Sequence, residues 1–198
     1  SSIKLKKIDE HQDFTNIPFV TIDGEDSKDF DDAIWSENKN GVTKIMVAIA
    51  DVSFYVKKND PIDLEAKKRG NSFYFPDRVI PMLPEELSNN LCSLIPNKVR
   101  ASVILEVKIK NYEIQSFNIC RAKMKSVARL TYKEVDKIFF SNSFENKLFK
   151  QISNLFESFK VLCEMSVRRN KIDFKTQDFQ ITKKDNEFFF LKKKEKFK

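Results

Sequence analysis

Thr21-Ile-Asp-Gly-Glu-Asp-Ser-Lys-Asp-Phe-Asp-Asp32 decides how this chain is read. Six acids, Asp23, Glu25, Asp26, Asp29, Asp31 and Asp32, crowd the stretch beside a single base, Lys28. The window carries −5 in a chain of formal net charge +7, which leaves +12 for the remainder. Like charges at this density repel unless a cation holds them, and a hard divalent ion takes oxygen ligands. Phe19-Val-Thr-Ile22 leads in as a strand and Ala33-Ile-Trp35 leads out as another, so the acids occupy the turn between them. A turn pinned by two strands can hold carboxylates in fixed geometry, which a solvated acidic tail cannot. Three readings compete: a polar surface loop, the ordinary meaning of a charge run, a calcium loop, or a magnesium site. No register starting at Asp23, Asp26 or Asp29 supplies alternate ligands with Gly sixth and Glu twelfth, as a calcium-binding EF-hand loop requires. Magnesium with a phosphate substrate is the better match.

Outward from the acids, Asn38-Lys-Asn-Gly41 signals a hairpin. Val42 to Ala50 follows as a strand whose run Met46-Val-Ala-Ile-Ala50 is of the kind buried on both faces. Asp51 ends it and suits a cap of the next turn better than a ligand. Asp60 to Gly70 reads as a short helix, with Asp60 as N-cap, Pro61 at the first position and Gly70 as the stop. Residues 71–84 are extended and stiffened by Pro76, Pro81 and Pro84, and Pro84 to Leu87 is at most one helical turn. Alternation over Arg100–Lys110 and Glu113–Ser126 predicts an antiparallel pair around Asn111-Tyr112. Thr131 to Phe140 is expected to be helical, since Thr131 and Glu134 have capping-box spacing. From Ser143 to about Asn170 the stripe Leu148, Ile152, Leu155, Phe156, Phe159, Leu162, Cys163 and Val167 is a helix's core face. Ile172–Phe174, Phe179–Ile181 and Phe188–Leu191 suggest terminal strands. The class expected is α+β, a mixed and mostly antiparallel sheet with packed helices. Residues 1–18 read as an approach segment or linker remnant ending at a Pro18 stop, and His11 has no assigned role beyond an exposed position.

Composition narrows the partners. Hydrophobic residues make up 41% with 19 Phe, enough for a core, while 33% charged residues favour water contact. No stretch approaches the apolar length that crosses a bilayer, and Ser at position 1 implies residues upstream. Cys92, Cys120 and Cys163 are odd in number and unpaired in spacing, so neither a disulfide framework nor a zinc site is expected, and reduced thiols in a cytoplasmic setting are. A basic remainder around an acidic centre suits a polyanion that must reach a metal.

The signature Thr21-Ile-Asp-Gly-Glu-Asp-x-x-Asp-Phe-Asp-Asp-Ala33 resembles the catalytic motif of the RNase II/RNase R family of exoribonucleases, closer to RNase R. Val47-Ala-Ile-Ala-Asp-Val-Ser53, Ser72-Phe-Tyr-Phe-Pro-x-Arg-Val-Ile-Pro-Met-Leu-Pro84, Leu87-Ser-x-x-Leu-Cys-Ser-Leu94 and Ala128-Arg-Leu-Thr-Tyr-x-x-Val135 follow in the family's order. The resemblance implies that residues 19–198 are the N-terminal half of an RNB-type catalytic domain. It implies Mg²⁺ held by Asp23, Asp29, Asp31 and Asp32, with Asp31 closest to the chemistry and Glu25 and Asp26 as outer groups. Tyr74 then fixes the 3′-terminal nucleotide, Tyr132 lies near the ribose, and Arg78 either meets phosphate or makes a structural ion pair. The implied reaction is magnesium-dependent 3′→5′ hydrolysis of RNA, from a single-stranded 3′ end, to nucleoside 5′-monophosphates. The family's later glutamate-rich helix, its catalytic arginine, its stacking phenylalanine and its flanking OB-type domains are not in this sequence, so the missing C-terminal half is an expected partner. A catalytically dead RNA-binding or structural remnant is the alternative, and a metal-dependent phosphatase with a small substrate is a third.

Overall fold

Five alternating segments bend into a sheet that closes on itself. The computed structural model describes residues 11–75, 77–135, 149–168, 179–184 and 187–192. Strands β1 (Gln12–Asp23), β2 (Asp32–Lys39), β3 (Val42–Ala50), β6 (Val99–Lys110) and β7 (Glu113–Thr131) form a closed barrel in the order β1-β2-β3-β6-β7. Every pairing is antiparallel except the seam, where β1 runs parallel to β7. The expected α+β class with a mixed, mostly antiparallel sheet therefore holds, and closure removes the sheet's edges.

So narrow a barrel admits small side chains and a few large ones. Ala33 sits opposite Ala48, and Ser102 opposite Ala122, all buried, while Phe19, Met46, Ile104 and Met124 fill the remaining interior. The run Met46–Ala50 is buried on one face only, against expectation: Met46 and Ala48 point inward but Ile49 is 46% exposed. A closed antiparallel sheet has one inside, so alternation wins over an apolar run. Proline 18 is no stop either. Strand β1 starts at Gln12 and passes through Pro18, and its register against β7 shifts between Phe14 and Phe19 and again between Phe19 and Val20. Proline cannot donate to a ladder, and a bulge absorbs the missing bond. His11 is not simply exposed: its ring meets Phe54 edge-on at 5.2 Å, and both its nitrogens are buried without a hydrogen-bond partner among the described residues.

The barrel's connections divide by length. Asn40 and Gly41 (φ 52° and 73°) join β2 to β3, and Asn111 and Tyr112 (φ 53° and 62°) join β6 to β7, as two-residue hairpin turns favour. The β3–β6 connection is long. It holds α1 (Val52–Tyr55), α2 (Pro61–Arg69), the two-stranded hairpin β4 (Phe73–Tyr74) and β5 (Val79–Ile80), and a π-helical turn at Leu87–Leu91. Asp51 caps α1 by accepting from the amide of Phe54, and Gly70 stops α2 in the left-handed region. Asp60 is the N-cap of α2 as expected, but its carboxylate accepts from the Lys57 amide rather than from the helix's first turn. The segment after Pro84 outruns the single turn expected because Leu87, Cys92 and Leu94 bury themselves in the barrel core.

Beyond β7, Thr131 and Glu134 form the anticipated capping box: the Thr131 amide donates to the Glu134 carboxylate at 2.7 Å, and the Glu134 amide to the Thr131 hydroxyl at 3.2 Å. Tyr132–Val135 is helical, and the expected continuation to Phe140 lies outside the described residues. Helix α3 (Phe149–Arg168) buries Ile152 against Val20 and Leu130. Residues 1–158 form one compact unit, and residues 159–198 form a second, which holds the hairpin of β8 (Phe179–Lys184) with β9 (Glu187–Lys192). The suggested strand at Ile172–Phe174 lies outside the described residues. All three cysteines are free, and among the described residues no helix is long and apolar enough to cross a membrane.

Candidate active site

The acidic turn is held from below by one aromatic ring. Phe30, flanked by Asp29 and Asp31, is buried in the barrel core, so the acids on either side of it are turned away from that core. The backbone around it is bonded on every side. The Phe30 amide donates to the Ser93 hydroxyl (2.9 Å), which itself donates to the Lys28 carbonyl (2.9 Å). The Leu94 amide donates to the Phe30 carbonyl (2.9 Å), and the Ala50 amide to the Asp31 carbonyl (2.8 Å). Asp32 opens β2 and Asp23 ends β1, so two of the acids sit on the rigid ends of strands.

Asp23, Asp29, Asp31 and Asp32 lie close enough to act on one another. Burial raises the Asp31 carboxyl above its usual range, and the charges of Asp29 and Asp32 raise it further. Burial also raises Asp23, followed by Asp32; Arg129 opposes this, and Asp29 and Asp31 add to it. Among the described residues no three His, Cys, Asp or Glu side chains converge as a ready ligand set. The donors are nevertheless all carboxylate oxygens, and their repulsion is the kind a hard divalent cation relieves, so the donor chemistry suits magnesium.

Two open clefts adjoin these acids. One, of about 560 Å³, is lined by Asp26, Lys28, Asp29, Tyr74 and Ser88 among others. The other, of about 310 Å³, includes Asp29, Asp31, Tyr74, Ile49 and Cys92. Tyr74 borders both. The residue is 68% exposed, its hydroxyl donates to Asp29 at 3.4 Å, and the Asp29 charge holds the phenol above its ordinary pKa. Burial, with the nearby charges of Asp31 and Asp51, pushes the Cys92 thiol up to about 11, which keeps it a neutral part of the wall.

The structure thus brings Tyr74 to Asp29 and Asp31, while Asp23 and Asp32 act on these acids through their charge and line neither cleft. Tyr132 is exposed and follows Thr131, the strand partner of Asp23, yet it lines neither cleft. Arg78 lines neither as well; it pairs with Asp77 at 2.8 Å and stacks on Phe75 at 5.2 Å. Glu25 is tethered by Lys133 at 3.2 Å. Asp51, besides its cap, lies 3.4 Å from Arg121, which supports the capping role over a ligand role.

Two residues here carry no signal in the sequence alone. Ser93 stitches the turn to the core, and Arg129 on β7 donates to the carbonyls of Gly24 and Glu25. Both fall inside segments whose order matched the family motifs, but a lone serine among apolar residues and an arginine on a strand have no pattern that marks them.

A model of the RNB domain matches residues 11–196. Ribonuclease R of Vibrio parahaemolyticus is 44% identical over 170 residues, which cover 83% of this chain and 20% of that protein. Mycoplasma genitalium RNase R in complex with ribose methylated single-stranded RNA matches with a TM-score of 0.76 and 33% identity, covering 95% of this chain and 31% of that one. The same organism's RNase R in complex with double-stranded RNA matches with a TM-score of 0.78 and 32% identity, covering 96% and 36%. The chain spans about a fifth of the length of the curated relatives it matches.

Proposed function

This chain belongs to the RNB-domain family, and we propose that it is the metal-bearing part of a magnesium-dependent 3′→5′ exoribonuclease that releases nucleoside 5′-monophosphates. The observation that carries the proposal is the cleft that Asp29 and Asp31 share with Tyr74, at the acidic turn whose ends are Asp23 and Asp32. In the reaction, water attacks the phosphorus of the last phosphodiester, and the 3′-oxygen of the penultimate nucleotide leaves with a proton. Bound Mg²⁺ supplies a more acidic water and neutralises charge on the phosphate. The protein's part is to hold the four carboxylates fixed through Phe30, Ser93 and Ala50, and to place Tyr74 where a terminal nucleotide can rest against it. A chain that is basic outside the acidic turn attracts the RNA.

The same proposal gives the partners: a single-stranded RNA 3′ end, and the remaining part of an RNB-type catalytic domain. The test is an assay of the chain with Mg²⁺, alone and with that remaining part, on an RNA with a 3′ tail labelled in its internal phosphates. Mononucleotide release that falls on the order of 10³-fold in Asp31→Asn is expected. A second reading, a non-catalytic RNA-binding or structural module, is favoured by the absence of three convergent ligands among the described residues. RNA binding without degradation in either mixture, unaltered by Asp31→Asn, would establish that reading instead.

A further inference from the structure

We infer that Arg129 is a positioning residue for the acidic ligand set, bracing the two arms of the turn against each other. The inference rests on the metal-site reading above and extends it to a residue that contributes no ligand. Arg129 lies on β7 opposite Thr21, two residues short of Asp23 across the parallel seam. Its Nη2 donates to the Gly24 carbonyl at 2.9 Å and to the Glu25 carbonyl, so it grips the arm that leaves Asp23. The same guanidinium lies 5.3 Å from the centre of the Phe30 ring, the anchor of the arm that carries Asp29, Asp31 and Asp32. One planar group therefore touches both arms, and its shape fixes how far apart they stand.

Another donor of the same group supports a placement dictated by the turn. The Nε–H is buried and has no acceptor among the described residues. Buried donors are nearly always satisfied, so an arginine serving only to fill space on β7 would be expected to find a partner for it. Here the two carbonyls and the ring set the orientation and leave Nε without one. Lysine in the same place carries the charge and could donate to both carbonyls, but it has no flat face for the Phe30 ring. Lys133 cannot substitute, because it reaches only the exposed Glu25 carboxylate.

The test is a titration of the whole chain with Mn²⁺, a spectroscopic probe of hard-cation sites, followed by the resonance of free Mn²⁺. Arg129→Met is expected to weaken binding by about 10–100-fold, the range seen when groups supporting metal ligands are removed. Arg129→Lys is expected to recover only part of that loss. Binding by Arg129→Met within about twofold of the parent, or full recovery by lysine, overturns the inference. If the parent itself binds no Mn²⁺, the metal reading fails, and amide exchange then judges the brace by itself. Ser27 donates its amide to the Gly24 carbonyl at 3.3 Å, and its exchange is expected to accelerate in both variants. Unchanged exchange at Ser27 overturns the brace.

Discussion

Strand β1 carries an aspartate near each end, and the two are held in opposite ways. Asp13 accepts from the Thr15 amide at 2.9 Å and its hydroxyl at 2.7 Å, and pairs with Lys123 at 3.0 Å. Those contacts, the Thr15 amide first, lower its carboxyl to about 2. Asp23, at the other end, is raised by burial and by Asp32, with Arg129 as the opposing charge. An acid with donors around it stabilises the strand that carries it; an acid among other acids destabilises the turn that carries it. The fold must supply the difference by packing, and it does so at Phe30 and Ser93. Strain of this sign beside a cleft is expected where a cation and an anionic substrate are to be bound together.

Two substitutions break the comparison by removing what holds the repelling acids in place. Phe30→Ala deletes a buried ring at the centre of the turn and is expected to cost about 3–5 kcal/mol, read as a lower urea midpoint at unchanged slope. A loss below about 1 kcal/mol would mean that strands alone hold the turn. Ser93→Ala leaves the Phe30 amide and the Lys28 carbonyl without their partner. Its expected cost is about 2 kcal/mol, typical of stranding a buried donor. Adding Mg²⁺ is expected to restore part of both losses, because a ligand that binds only the folded state stabilises it by mass action. A magnesium effect equal in the two variants and absent in Asp31→Asn would place the cation at these acids.

The contrast also shows what could be read from the sequence. The turn between two strands was legible because Phe19–Ile22 and Ala33–Trp35 are short apolar runs on either side of a stretch of acids. The capping box at Thr131 and Glu134 and the stop at Gly70 were legible for the same reason: each is a contact between near neighbours. Closure of the barrel was not, since the parallel pairing of β1 with β7 joins residues about a hundred apart and leaves no local pattern. Strand β1 is longer than Pro18 suggests, because between Phe14 and Phe19 the extra residues lie in β1 itself, opposite only Met124 to Ser126, and a bulge of that kind is not marked by local sequence. In the site, the acids are nameable because a dense run of like charge stands out, and Tyr74 because it falls in a stretch that resembles the family's. Ser93 and Arg129 hold backbone groups, and a hydrogen bond to a carbonyl writes nothing into the identity of the residue that owns it.

The smallest expected effect sharpens the comparison from the satisfied side. Asp13 has a folded-state pKa below its unfolded value of 3.8, so its contribution is fully present above about pH 4 and is lost as the pH falls through about 2. Asp13→Asn removes the ion pair with Lys123 and weakens the acceptance from Thr15, so it should be less stable than the parent at about pH 6. The gap between the two urea midpoints should close by about pH 2 and reopen on neutralisation. Asp13 is exposed and solvent screens the pair, so the gap at neutral pH is expected to be small beside those of Phe30→Ala and Ser93→Ala. A gap that persists unchanged down to about pH 2 would show that asparagine disturbs the strand by its shape, and that the donors around Asp13 do not act through its charge. The two ends of β1 would then differ only in crowding, and Asp13 could not serve as the satisfied counterpart of Asp23.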